Sequence, residues 1–450
     1  MDRRILTPLG LVACLLSGCA PADSRTPSAD GPSDHIQRYA GLPGLSSSPH
    51  AGLKAELALL QQEQMTPLAL DAQQDALRSQ AGSPEVAGRN MLAESIPAIS
   101  RPLLKAQLDE VYRSGPLRLS PLQMERAREI SRRWADDRAR FEQALNACGG
   151  GLGLRMADGI LADVRFLDVT SLGCRLEALA AAEALAENQP EAAIAPLAVM
   201  LRSAQVLAKE WNVTSRVTAA NLRSDALHVL GAVANHEHAT RQTHERLAEL
   251  LARETADWPS DAAAWVGDRA AGLIAYELVR DGYYFSLLEQ SELQKLRAGG
   301  LVDASAKAVM RNLDGDELFY LAAMRRMIES SRLPYYERLP ELRAIRRELA
   351  AREASADYPL VAGRLLLNDF ETGHCRQAED LALALGWKLA LQHATSRASP
   401  GLVINPLTGE SLEMEASAGF VRIGGLQQPA EGAVQIALRP VQPAGQPGPR

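Results

Sequence analysis

The chain has 450 residues, 46% hydrophobic and 23% charged, which is an ordinary globular composition and enough for two or three domain-sized units. A net charge of −7 gives no basic surface for nucleic acid, so no nucleic-acid partner is expected. No second long apolar run follows the N-terminal one, which excludes a predicted membrane span in the remainder.

At the N-terminus, Arg3 and Arg4 precede an apolar run from Ile5 to Leu16. That run is shorter than the roughly 20 residues a spanning helix needs and suits the core of an export signal. Leu16-Ser17-Gly18-Cys19 closes it and resembles the bacterial lipoprotein signal, whose mature protein begins with a lipidated cysteine. The resemblance implies residues 1–18 as a lipoprotein signal peptide, lipidation of Cys19 and membrane contact through that lipid. Ala20, standing where an aspartate would favour retention at the inner membrane, implies the outer membrane. Residues 19–50 are rich in Pro, Ser, Gly and Asp, bury too little to offset their ordering entropy, and read as a flexible tether.

Residues 51–400 read as a mainly α body. Ala51 to Ser79 gives one or two helices with Leu53, Leu57 and Leu60 along a face, and Ser120 to Ala147 gives another carrying Ile130, Trp134 and Phe141. An alanine-rich hairpin follows, Leu172–Ala186 and Glu191–Lys209, turned at Asn188-Gln189-Pro190. Further helices are predicted over 215–235, 240–255, 260–280, 314–330, up to Ala356 and from His374 to His393, with chain breaks at Pro334 and Pro340. The predicted architecture is a body of helical hairpins, either a TPR-like α-solenoid or an irregular α-bundle. A small C-terminal antiparallel β-hairpin ends it. Residues 401–440 form this β-tail, with strands at Ser411–Ala416 and Phe420–Gly424 and a third at Ala433–Leu438. Residues 441–450, rich in Pro and Gly, read as a disordered end.

Most motifs that could carry chemistry fail on spacing. His236 and His238 lie two apart and point to different sides of a helix, and His244-Glu245 lacks the second histidine of a zinc-protease motif. Asn312–Glu317 resembles a calcium loop, yet aligning Gly315 places Met310 and Leu321 where acids are required. The glycines from 149 to 153 match no phosphate-binding pattern. Cys148 and Cys174 could bridge consecutive helices or stay as buried thiols. No cofactor and no metal is expected.

One segment concentrates aromatic residues in a chain that is only 4% aromatic: Trp265, Asp268, Arg269, Tyr276, Glu277, Tyr283 and Tyr284. Aromatic side chains around fixed charges can line a binding groove. The same pattern also fits a core in which Arg269 is paired internally.

Several stretches together resemble a family of uncharacterised exported α-helical bacterial lipoproteins with a small β-tail. They are the alanine-rich hairpin, Gly267-Asp268-Arg269-Ala270, Leu333-Pro-Tyr-Tyr336 and Asn405-Pro-Leu-Thr-Gly409-Glu-Ser-Leu412. That tail resembles the C-terminal segment of major pseudopilins, although Asn405, Leu407, Glu410 and Met414 depart from the usual residues. The family carries no established activity. The expected function is a lipid-anchored periplasmic helical protein, acting as a non-enzymatic interaction or scaffold module for a periplasmic protein partner. A cell-envelope enzyme using Asp268 and Arg269 is the first alternative, and an accessory component of a secretion or pilus-like system the second.

Overall fold

The computed structural model describes residues 50–80, 87–112, 117, 119–148, 151–288, 290–300, 302–355, 357–395, 402–412, 414–415, 420–426 and 433–438. The signal peptide, Cys19, nearly all of the tether and residues 441–450 lie outside the described residues.

The fold is mainly α, as expected. It opens with α1 (Ala51–Gln62), α2 (Pro67–Gln80), α3 (Ala87–Ser95), α4 (Arg101–Val111), α5 (Pro121–Arg133) and α6 (Ala135–Ala147). The single helix predicted over 120–147 is two, because Trp134 leaves helical geometry at φ −105°, ψ 18°. Its indole is buried, and Nε1 donates to Gln107 Oε1 at 3.0 Å. Ser120 and Gln123 form a reciprocal capping box that starts α5 where the sequence places it.

The alanine-rich hairpin is α7 (Arg165–Ala186) and α8 (Ile194–Ala208), turned through Asn188 at φ 59°. Asparagine tolerates this left-handed conformation better than most residues. Next come α9 (Val213–Ala234), α10 (Arg241–Glu254), α11 (Asp261–Arg280), α12 (Gln290–Ala298), α13 (Val302–Arg311), α14 (Leu313–Ser330), α15 (Tyr335–Arg352) and α16 (Phe370–Thr395). A π-helical turn over Ala362–Leu366 precedes α16. Pro334 does break the chain, but Pro340 lies inside α15. There it removes one helical N–H while neighbouring turns and packing hold the helix.

Two apolar cores lie side by side. The first gathers residues of α2 to α10, among them Leu70, Phe141, Phe166, Leu197 and Leu230. The second joins α1 to the C-terminal half, with Leu53, Leu57 and Leu60 sharing it with Tyr276, Tyr320 and Ile345. Helix α16 packs on α9 and α10 and closes the seam between the cores. Because α1 packs on α14, far along the chain, the body is an irregular bundle: in a solenoid each unit meets only its neighbours.

The tail is a three-stranded antiparallel sheet in the order β1 (Met414–Glu415), β2 (Phe420–Gly424) and β3 (Ala433–Ala437). Val421 pairs with Ile436 and Ile423 with Val434, and Val421, Ile423 and Ile436 are buried in the second core against α16. The turn before the sheet is built by Asn405, whose Oδ1 accepts from Leu407 N at 2.9 Å while its Nδ2 donates to Gly424 O at 3.0 Å. Gly409 sits at φ 77°, and the Tyr336 ring occupies the space a Cβ would take. The Pro-Leu-Thr-Gly turn is thus seated on the Leu333–Tyr336 turn, and Tyr335 N donates to Pro406 O at 3.0 Å.

Candidate functional site

The seven residues singled out between 265 and 284 do not face a common groove. Trp265, Arg269, Tyr276, Glu277 and Tyr284 are buried, and only Tyr283 is well exposed, at 55%. Asp268 is half-buried, and Oδ1 accepts from Val213 N at 3.0 Å. It therefore caps the N-terminus of α9 together with Asn212, which accepts from Ser215 N. Burial pushes the Asp268 carboxyl up to about 7, the Val213 N–H opposing. Beside it, Gly267 lets Trp211 approach so closely that an added Cβ would lie 1.6 Å from its carbonyl oxygen.

Tyr276 and Glu277 belong to an acidic cluster between α11 and α14. The Tyr276 hydroxyl donates to Asp316 Oδ1 at 2.5 Å, and Asp316 also accepts from Val361 N at 2.8 Å and Ala362 N at 2.9 Å. One carboxylate thus fixes the start of the π-helical turn. Arg280 answers three acids: Glu277 at 2.7 Å, Asp314 at 2.9 Å and Glu317. Burial raises Asp316 to about 6 and Glu317 to about 7, with Arg280 opposing the rise at Glu317. Glu277's partner is therefore Arg280, while Arg269 is buried with Nε unpartnered.

A second buried polar cluster joins α9, α11, α15 and α16 and includes only Trp265 of the seven. Arg216 Nη2 and Arg338 Nη2 share Asp261, each at 2.8 Å. Arg223 pairs with Asp380. Trp258, half-buried between α10 and α11, lies over both Arg223 and Arg216, at 4.6 and 5.9 Å to the guanidinium carbons. His374 stacks on Trp265 at 4.1 Å, and Trp265 Nε1 donates to Gln377 Oε1 at 3.0 Å. His374 is neutral, since burial and then the nearby Arg338 charge hold its pKa well below the usual range. Arg216 and Arg223 are each about 1% exposed. Among the described residues, Arg216 Nε and Nη1, Arg223 Nε, Gln377 Nε2, His374 Nε2 and Asp380 Oδ1 have no hydrogen-bond partner.

This cluster was not read from the sequence, although traces of it are there. Arg216 and Arg223 recur two turns apart in a strongly apolar helix, and His374, Gln377 and Asp380 recur every three residues along one face.

The remaining candidates are structural. Cys148, Cys174 and Cys375 are free and buried, so Cys148 and Cys174 do not bridge. Cys174 lines a half-open pocket of about 200 Å³ with Tyr112, Arg175, Ala178, Met200 and Asp225, and burial pushes its thiol up to about 12, where it is not nucleophilic. His236 and His244 bond the carbonyls of Leu185 and Ala234 through Nε2, at 3.1 and 2.9 Å. Among the described residues no group of three His, Cys, Asp or Glu side chains is placed to hold a metal ion. No protein-family model, curated protein or solved structure matches the chain.

Proposed function

We propose that the protein is an exported lipoprotein held at the outer membrane, on its periplasmic side, by acyl chains on Cys19. Its helical body acts there as a non-enzymatic interaction module for a periplasmic protein partner. The observation that carries this reading is the run from Arg3 through Leu16-Ser17-Gly18-Cys19, a charged start, a short apolar core and small residues before a cysteine. Each acyl CH₂ buried in lipid contributes about 0.8 kcal/mol, so two or three chains anchor firmly. Among the described residues no helix is long and apolar enough to cross a membrane, which leaves the lipid as the predicted contact.

The burial of Arg269 and Glu277, and the use of the half-buried Asp268 as a helix cap, support the non-enzymatic half of the reading. These groups cap a helix, pack in the core and pair with Arg280, and an open cleft around them would be required for the enzyme alternative.

Fractionation of cells expressing Cys19→Ser tests the anchor. The variant leaves the membrane fraction while its helical circular dichroism stays unchanged; retention in membranes overturns the reading. Cross-linking of the wild-type protein in intact cells tests the module. A reproducible periplasmic partner is expected, and a chain that cross-links to nothing contradicts it.

A further inference from the structure

Where α7, α8 and α9 meet the C-terminal end of α4, the half-open pocket of about 200 Å³ reaches in from the surface. At about 30 Å³ per water it holds about seven waters, room for a molecule of about six to nine heavy atoms. Ala178, Met200 and the protonated thiol of Cys174, all buried, give it an uncharged floor. Two charged residues also line it, Arg175 on α7 and Asp225 on α9, and no ion pair joins them. Arg175 is fixed in place. Its Nη1 meets Asp109 Oδ1 at 2.8 Å, its guanidinium lies 4.9 Å from the centre of the Tyr112 ring, and the Tyr112 hydroxyl donates to its carbonyl at 2.6 Å. That single ion pair leaves other guanidinium N–H groups to donate, and the side chain stays 24% exposed. Asp225 is exposed and, among the described residues, neither hydrogen-bonded nor ion-paired. Its surroundings strip water from the carboxyl and raise its pKa, against the pull of the His228 and Arg175 charges.

Opposite charges near enough to sense each other, yet held apart over an apolar floor, match a ligand that carries both signs itself. We propose that this pocket binds a free amino acid with a small aliphatic side chain. Its α-carboxylate lies on Arg175, its α-ammonium on Asp225 and its side chain against Ala178 and Met200. A simple amine would leave Arg175 unanswered and be repelled by it, and a simple carboxylate would meet the same difficulty at Asp225. The proposal goes beyond the anchor and the interaction module and stands whether or not Cys19 is lipidated.

The test follows the melting temperature of the full chain on titration with alanine, valine and leucine. At least one is expected to raise Tm saturably. The amine left by removing the carboxylate of the best binder, and the acid left by removing its amino group, each bind at least about tenfold more weakly. Asp225→Asn, which breaks no bond in the free protein, keeps the unliganded Tm and weakens binding by at least about tenfold. Ala178→Leu fills the floor and abolishes binding; if that variant does not fold, Asp225→Asn still decides. No saturable rise with any of the three amino acids overturns the proposal. So does an analogue that binds as tightly as the amino acid, or an Asp225→Asn variant with unchanged affinity.

Discussion

Two buried charge clusters in this bundle are unbalanced in opposite directions. Around Arg280 one guanidinium faces Glu277, Asp314 and Glu317, with Asp316 and Tyr276 alongside. Around Arg216 three guanidiniums face two carboxylates. An excess of acid can relieve itself: a buried carboxyl takes up a proton, and burial holds Glu317 near 7 and Asp316 near 6. An excess of arginine has no such exit, because its proton is not released near neutrality. The acidic cluster can therefore adjust its charge with protons alone, and Glu317 Oε1, buried without a partner, is a place for one, whereas the guanidiniums of the arginine cluster cannot adjust theirs.

The largest effects should come from removing the group that balances each cluster. Asp261→Asn leaves three guanidiniums against one carboxylate, and Arg280→Met takes from Glu277, Asp314 and Glu317 the guanidinium they share. Breaking a buried pair costs about 3–5 kcal/mol. The acidic cluster can recover part of its loss by binding protons, so Arg280→Met should regain stability on acidification. Asp261→Asn should not. Denaturant unfolding at pH 5 and pH 8 separates the two, and equal pH responses would dissolve the contrast.

The next effect is the pH dependence of the wild type. Asp268, Asp316 and Glu317 have folded pKa values raised above their unfolded ones, so the folded state binds more protons between about 4 and 7. Their contribution is fully present below the unfolded values and is lost as pH rises through the folded ones. Tm is expected to fall from pH 5 to pH 7 and then level off. Asp268→Asn keeps an acceptor for Val213 N and should flatten part of this slope; an unchanged slope counts against the raised carboxyl.

Smaller still is Tyr276→Phe, which deletes one of the three bonds to Asp316 and should cost about 1 kcal/mol. Tyr283→Ser, at the exposed end of the same segment, should stay within about 0.5 kcal/mol of wild type. A larger loss at Tyr283 than at Tyr276 would reverse the assignment of that segment to the core.

The helices were legible because Ala, Leu and Glu dominate and apolar residues recur at helical spacing, as at Leu53, Leu57 and Leu60. The tail strands were legible from alternation, and β2 and β3 fall where it placed them, β3 one residue shorter. Bundle or solenoid could not be decided locally, since the packing of α1 on α14 joins residues more than 250 positions apart. The aromatic and charged pattern over 265–284 is common to a groove and to a buried network. Which one forms depends on whether another element covers it, and here α14 supplies Asp314, Asp316 and Glu317. The arginine cluster was hidden for the same reason: Arg223 meets Asp380 across 157 positions, and neither residue alone signals the other.

The central claim is that buried acid in excess of its cations, as at Glu317 and Asp268, is neutralised by protons, while buried arginine in excess is not. Infrared difference spectroscopy of the carboxylic C=O stretch at pH 6, comparing wild type with Glu317→Gln and Asp268→Asn, tests it most directly. Protonated carboxyl bands in the wild type, reduced separately in each variant, are predicted. A wild type with no protonated carboxyl at pH 6 would contradict it.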